Sequence, residues 1–162
     1  MFSADLRARA ETLLAAARVK GLKIATAESC TGGLIAGLLT EIPGSSDVVE
    51  RGFVTYSNQA KEEMLGVPGA MLRQHGAVSE TVARAMAEGA IRKSTAQLSV
   101  AVTGIAGPGG GTDEKPVGLV HIAAARAGEA TLHRECRFGD IGRSEIRLAT
   151  ITAGLELLQS LV

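Results

Sequence analysis

The chain has 162 residues, of which 46% are hydrophobic, 21% are charged and only 2% are aromatic. This length and composition are typical of one globular domain with a sizeable core. Seventeen basic residues balance seventeen acidic ones without a run of like charge, which argues against a nucleic-acid surface or an electrostatic membrane anchor. We therefore expect a single domain over residues 1–162 that binds neither nucleic acid nor a membrane.

The two cysteines and three histidines are too scattered in the sequence to suggest a disulfide framework or a metal site. Cys30 and Cys136 have no CxxC spacing, and His121 lies inside an apolar strand pattern where a position at the edge of the core is expected. We expect free thiols, no metal and no cofactor. No stretch of 18 apolar residues occurs, so we expect a cytoplasmic protein.

The first half of the chain alternates helical and strand patterns. Ser3 is the expected N-cap of a helix to about Lys20. The apolar run from Leu22 to Ala27 predicts an internal strand, and apolar residues then recur at helical spacing from Leu34 to Glu41. Residues 48–56 are β-branched and aromatic, which favours a second strand.

The second half continues this alternation and sets the fold class. Asn58 is the expected N-cap of a short helix to Leu65, no clear element follows at 69–76, and Ser79 caps a helix to Arg92. The remaining predicted elements are a strand at 98–102, a hairpin of strands at 117–126 and 131–138, and a helix at 143–158. This order predicts an α/β fold, a three-layer α/β/α sandwich with a mixed sheet of about five strands that is parallel in its first part.

Residues suited to chemistry follow the predicted strands. Ser29 follows the first strand, Tyr56 ends the second with Lys61 just beyond it, and Thr103 ends the third. Because ligands bind at the carboxyl ends of strands in open α/β sheets, these residues should meet at one edge. A hydroxyl nucleophile, a basic amine and a phenol there indicate an amidase or esterase, with a non-catalytic binding cleft as the alternative.

The helix starts and the glycine-rich segment supply further polar groups. Ser29 and Cys30 lie where the strand pattern ends and a helical pattern begins. The N–H groups at the start of a helix suit a phosphate, a carboxylate or an oxyanion. The alternative is that Ser29 is only a helix cap. Lys61 is expected in the first helical turn after Asn58, where the helix dipole should lower the pKa of its amine. The loop at 103–112 can bring backbone N–H groups to a ligand, or it is only a mobile connection.

Four segments together resemble the C-terminal domain of the CinA competence/damage-inducible family. They are TAESCTGG at 26–33, GFVTYSN at 52–58 with Lys61, GAVS at 76–79, and VTGIAGPGG at 102–110. The resemblance covers nearly the whole chain in the order of the family and implies its stand-alone form. It also implies the activity of a nicotinamide-nucleotide amidohydrolase, which converts nicotinamide mononucleotide (NMN) to nicotinic acid mononucleotide and ammonia.

The resemblance also implies roles for individual residues. Ser29 would be the nucleophile and Lys61 its base, while Tyr56 and Thr103 would assist them. Arg143 matches an arginine of the family, and its guanidinium suits a phosphate or carboxylate contact.

The remaining substrate contacts are expected from the backbone. N–H groups near Thr31 and Gly32 would hold the oxyanion of the reacting amide. The phosphate would lie on the loop at 107–111, with Gly107, Gly109 and Gly110 as binding residues. NMN is the expected small-molecule partner, and a homo-oligomer is expected from the Ala- and Gly-rich composition.

Two alternatives and two unassigned arginines remain. Cys30 is the rival nucleophile, because a thiol beside a helix N-terminus should have a lowered pKa. A non-catalytic nucleotide-binding or regulatory module is the rival from another class. For Arg51 and Arg147, we expect surface ion pairs.

Overall fold

Five strands form one mixed sheet in the computed structural model, which describes residues 1–162. The strands are β1 (Ile24–Glu28), β2 (Val49–Val54), β3 (Leu98–Gly104), β4 (Leu119–Arg126) and β5 (Leu132–Arg137). Their order in the sheet is β2-β1-β3-β4-β5. β1 pairs in parallel with β2 and β3, whereas β4 runs antiparallel to both β3 and β5. The predicted mixed sheet, parallel in its first part, is confirmed.

Helices cover both faces of this sheet. On one face lie α1 (Ala4–Val19), α2 (Leu34–Glu41) and α6 (Arg143–Gln159), and on the other lie α3 (Asn58–Leu65), α4 (Gly69–His75) and α5 (Glu80–Arg92). The three-layer α/β/α sandwich is therefore confirmed. No helix combines the length and the apolar character that crossing a bilayer requires.

Helix caps explain where most helices begin. The side chains of Ser3 and Ser79 accept hydrogen bonds from N–H groups in the first turns of α1 and α5, as expected. The predicted cap Asn58 is wrong by one residue, because Ser57 Oγ accepts from the N–H of Ala60 at 3.0 Å. Helix α4 lies in the stretch that gave no clear signal; seven residues between Pro68 and Gly76 are too few for a periodic pattern.

The two faces of the sheet carry side chains of different size. The face toward α5 is lined by alanine, whereas the face toward α1, α2 and α6 is lined by valine, isoleucine and leucine. The alanines are Ala25, Ala27, Ala101, Ala123 and Ala125. Such small side chains let α5 approach the sheet closely, and Ser99 Oγ donates directly to the backbone O of Ala87 in that helix at 2.6 Å.

A second close contact joins α3 to α5. A Cβ placed on Gly89 of α5 would lie 2.2 Å from the carbonyl oxygen of Leu65 at the end of α3. Backbone packs here directly on backbone, which only glycine allows. Because Lys61 lies on α3, this contact also fixes the height of Lys61 above the sheet.

Replacing Gly89 by alanine should lower the free energy of unfolding by about 1–3 kcal/mol, because the added methyl group overpacks a rigid contact. Gly37→Ala is the matched control: it lies in α2, and no atom is within 4 Å of its added Cβ. The free energy of unfolding of Gly37→Ala should rise by about 0.5–1 kcal/mol, because alanine has the higher helix propensity. Urea unfolding of both variants measures the difference, and equal stabilities would contradict the α3–α5 contact.

Candidate active site

A buried lysine contacts a serine at the carboxyl edge of the sheet. Lys61 Nζ donates to Ser29 Oγ at 3.0 Å and to the carbonyl oxygen of Thr55 at 2.8 Å. Ser29 directly follows β1 and is partly exposed, and its N–H donates to the carbonyl oxygen of Val102 in β3. The Lys61 side chain crosses from α3, and the residue is only 1% exposed. The structure thus brings the expected nucleophile and base together.

Burial controls the protonation of Lys61. Removal from water lowers the pKa of its amine below the ordinary value of 10.5. The direction agrees with the sequence analysis, but the cause differs. Lys61 is the fourth residue of α3, beyond the first turn where a helix dipole acts strongly. A neutral Lys61 can keep its contact with the Thr55 carbonyl and offer its lone pair to the Ser29 hydroxyl.

The pKa of the Cys30 thiol is shifted in the opposite direction from the one expected. Its residue is 6% exposed and belongs to the hydrophobic core between the sheet and α1, α2 and α6. Burial raises the pKa of its thiol to about 12. The expected lowering is wrong, and a thiol that keeps its proton at neutral pH is a poor nucleophile. Both cysteines are free, as predicted.

The N-terminus of α2 is already occupied by an anion from the chain itself. Glu28, fully buried at the end of β1, accepts hydrogen bonds from one side chain and three backbone N–H groups. The donors are Thr31 Oγ1 at 2.6 Å and the N–H groups of Gly33, Ile35 and Ala36 at 3.2, 3.0 and 2.9 Å. The helix begins at Leu34, five residues after Ser29. The expectation that this helix start receives a substrate anion is therefore wrong.

Arg147 holds the turn between Ser29 and α2 from the other side. Its Nε donates to the carbonyl oxygen of Cys30 at 3.1 Å, and its Nη2 donates to that of Thr31 at 3.0 Å. The expectation of a surface ion pair is wrong for Arg147. Arg51 does form one with Glu50, as expected.

The backbone donors of this turn are only partly free. The N–H of Gly32, one of the expected oxyanion donors, donates to the carbonyl oxygen of Ser29 at 3.0 Å. The N–H groups of Cys30 and Thr31 have no partner elsewhere in the chain. Thr31 is fully buried, however, and its hydroxyl is held by Glu28.

Tyr56, Arg143 and the glycine-rich loop meet at the outer rim of the site. Arg143 Nη2 donates to the hydroxyl oxygen of Tyr56 at 2.9 Å, and Nη1 donates to the carbonyl oxygen of Gly107 at 2.8 Å. Tyr56 is 61% exposed. These three residues, far apart in sequence, thus form a polar rim that a ligand can reach.

Thr103 does not contact the serine or the lysine through its hydroxyl. Its Oγ1 donates to the carbonyl oxygen of Ala77 at 2.9 Å, and the residue is buried. The hydroxyl therefore anchors the segment Gly76–Ser79 against the end of β3.

The glycines of the loop at 107–111 have different roles: one is needed for packing, and two have free N–H groups. A Cβ on Gly107 would lie 2.7 Å from Val117 Cγ1, so this glycine is required for packing. Gly109 and Gly110 are exposed, and their N–H groups have no partner in the chain. Gly110 adopts φ +85°, where glycine is favoured. These two residues can present backbone donors to a ligand.

A histidine pair on the neighbouring strands was not foreseen. His121 is 8% exposed, and its Nδ1 lies 2.9 Å from Nε2 of His133. Burial lowers the pKa of both imidazoles. No group of three or more histidine, cysteine or acidic residues is arranged to hold a metal ion.

Sequence reasoning missed Glu28 and Arg147. Arg147 lies one helical turn after Arg143, a spacing that places both on one face of α6. Glu28 precedes a helix start by several residues, and acidic residues near such starts are favoured by the helix dipole. Both signals are too common to identify a site from sequence alone.

Replacing Glu28 by glutamine should lower the free energy of unfolding by about 1–3 kcal/mol, because the amide NH2 group would face at least one N–H group, that of Ala36, which needs an acceptor. Glu41→Gln at the other end of α2 is the control; its carboxylate only faces Arg7 at 3.8 Å on the surface. The Glu41→Gln substitution should change the free energy of unfolding by no more than about 0.5 kcal/mol. Thermal or urea unfolding compares the two, and equal effects would contradict a capping role of Glu28.

Comparison with known proteins places these features in one family. The model of the CinA C-terminal domain matches residues 6–162. A nicotinamide-nucleotide amidohydrolase, PncC, from Escherichia coli K12 is 47% identical over 159 residues, which are 98% of this chain and 95% of that protein. A putative competence-damage inducible protein from Caldicellulosiruptor bescii is 46% identical over 160 residues, but the chain spans only 38% of its length.

Solved structures agree with this assignment. The crystal structure of the competence/damage inducible protein CihA from Agrobacterium tumefaciens has a TM-score of 0.98 at 56% identity, covering 99% of this chain and 98% of that one. A CinA superfamily structure from Escherichia coli has a TM-score of 0.92 at 32% identity, covering 100% of this chain and 94% of that one. The chain belongs to the CinA C-terminal domain family.

Proposed function

We propose that the chain is a nicotinamide-nucleotide amidohydrolase that hydrolyses the carboxamide of NMN to nicotinic acid mononucleotide and ammonia. One observation carries this proposal: the buried amine of Lys61 lies 3.0 Å from Ser29 Oγ at the carboxyl edge of the sheet. The PncC relative from Escherichia coli bears the name of this activity and matches 98% of the chain.

The first half of the reaction is acyl transfer to Ser29. Neutral Lys61 takes the proton of the Ser29 hydroxyl, and Oγ attacks the carboxamide carbon of the substrate. The carbonyl oxygen becomes an oxyanion, which backbone N–H groups of the turn after Ser29 stabilise. Lys61 then gives the proton to the amide nitrogen, the C–N bond breaks, and ammonia leaves.

The second half regenerates the enzyme. Water attacks the acyl carbon while Lys61 accepts a proton from that water, and the C–Oγ bond then breaks. The proton on Lys61 returns to Ser29 Oγ, and the product acid is released. The balance is one water consumed and one ammonia formed for each amide hydrolysed.

The rim of the site is proposed to hold the nucleotide. Arg143 supplies a guanidinium that is preorganised by Tyr56 and Gly107, and a guanidinium binds phosphate through two parallel hydrogen bonds. The N–H groups of Gly109 and Gly110 are free to add further donors. Thr103 is proposed to position the segment Gly76–Ser79 beside the substrate rather than to react.

Ammonia release from NMN by the purified protein tests the proposed activity, with Ser29→Ala measured beside it. Loss of the nucleophile should lower kcat by at least about 1,000-fold, as the loss of a catalytic serine does in other acyl-transfer enzymes. Cys30→Ala is the adjacent control and should keep about the parental rate, because the thiol that it removes is protonated in the parent and the backbone N–H of residue 30 is kept.

Circular dichroism checks that both variants are folded. Loss of activity in a folded Cys30→Ala protein would contradict the assignment of Ser29. A parent protein that is thermally stabilised by NMN without releasing ammonia would instead be a binding module.

The pH dependence of kcat/KM tests Lys61 as the base. Only the neutral amine can accept the serine proton, so the rate should rise with pH as Lys61 loses its proton. Since burial lowers the pKa of Lys61, the midpoint of this rise should lie below 10.5. Lys61→Met should remove the activity.

The matched control is Lys23→Met, whose exposed amine contacts the Asp47 carbonyl near the opposite end of β1. It should keep the parental pH profile. A rise with its midpoint at or above 10.5, or an active Lys61→Met protein, would contradict the role of Lys61.

A further inference from the structure

Three consecutive peptide groups follow Ser29, and each is held at its carbonyl oxygen. That of Ser29 accepts from the N–H of Gly32 at 3.0 Å. Those of Cys30 and Thr31 accept from Nε and Nη2 of Arg147 at 3.1 and 3.0 Å. In a planar trans peptide the N–H points away from the C=O, so a held carbonyl also fixes the direction of the next N–H.

These contacts connect Arg147 to the amide beside the nucleophile. Nη2 of Arg147 holds the carbonyl of Thr31, which fixes the direction of the Gly32 N–H. That N–H holds the carbonyl of Ser29, which fixes the direction of the Cys30 N–H. Nε of Arg147 holds the carbonyl of Cys30, in the peptide group that lies between these two.

The Cys30 N–H is the donor nearest Ser29 that no other residue of the chain accepts from. It has no partner elsewhere in the chain, although buried backbone N–H groups are rarely left without one. The N–H of Thr31 is also without a partner, but it belongs to the next peptide group along the chain, one residue further from Ser29. The residue after a catalytic serine supplies an oxyanion donor in other hydrolases.

We infer that Arg147 is a positioning residue that aims the Cys30 N–H at the oxyanion formed during amide hydrolysis. The inference rests on the proposed function. Arg147 touches neither Ser29 nor Lys61 through a hydrogen bond, and both of its contacts are with main-chain oxygens of the turn. Its role is thus exerted through the backbone.

Arginine is required at this position because two carbonyl groups must be held at once. The guanidinium is planar and presents its donors in a fixed fork, whereas a lysine ammonium is a single point on a flexible stem. Gly32 adopts φ +59°, where glycine is favoured; a Cβ there would only make an ordinary contact with Nη2 of Arg147, at 3.5 Å.

Arg147→Met tests this role in steady-state NMN hydrolysis. We expect kcat to fall about 10- to 100-fold with little change in KM, because an oxyanion donor acts in the transition state and not in the bound ground state. Arg147→Lys should recover only part of the loss, since one of the two carbonyls is released. An unchanged kcat would overturn the inference, as would a raised KM at unchanged kcat, which would make Arg147 a substrate ligand.

The matched control is Arg9→Met. Arg9 also contacts α6, through Glu156, but at the far end from the turn. It should keep the parental kcat and KM. A loss of kcat in this variant equal to that of Arg147→Met would overturn the inference, because both substitutions would then act by changing how α6 packs.

Amide hydrogen exchange gives a readout that does not depend on the activity. The N–H of Gly32 is protected by its bond to the Ser29 carbonyl, and Arg147→Met should speed its exchange about tenfold, the effect of losing one net hydrogen bond. Unchanged exchange would overturn the inference even if NMN is hydrolysed. A parent protein that releases no ammonia would overturn the proposed function instead, and the exchange rate would still measure whether Arg147 orders the turn.

Discussion

The candidate site depends on the burial of one amine. An ammonium ion loses its hydration when it is buried, and the two hydrogen-bond partners of Lys61 are neutral oxygens that compensate only in part. No carboxylate faces it; Glu63, two residues away in sequence, accepts from Gln59 instead. The site therefore favours an uncharged lysine, which is the form that removes a proton from a hydroxyl.

The packing of the helices sets where this amine lies. The alanine face lets α5 settle close to the sheet, and Gly89 lets α3 settle close to α5. The side chain of Lys61 thereby reaches the end of β1, where Ser29 leaves the sheet. Small residues far from Ser29 and Lys61 thus determine how close these two side chains lie to each other.

The sequence was sufficient for the fold and for the meeting of Ser29 and Lys61. Both follow from topology, because the carboxyl ends of parallel strands share one edge, and β1 and β2 lie side by side. The protonation of Cys30 was not predictable, since its burial depends on packing by α1, α2 and α6, elements far from it in sequence. The contact of Arg147 with Cys30 spans 117 positions in the chain, and no local pattern encodes it.

The carboxylate of Glu28 has a consequence for the resting enzyme. A helix start that is open to solvent binds anions from solution. Here the anion is the side chain of the last residue of β1, directly before Ser29, so it cannot dissociate. Its four hydrogen bonds tie the turn after Ser29 to β1, so the chain has less conformational freedom to lose when a ligand binds.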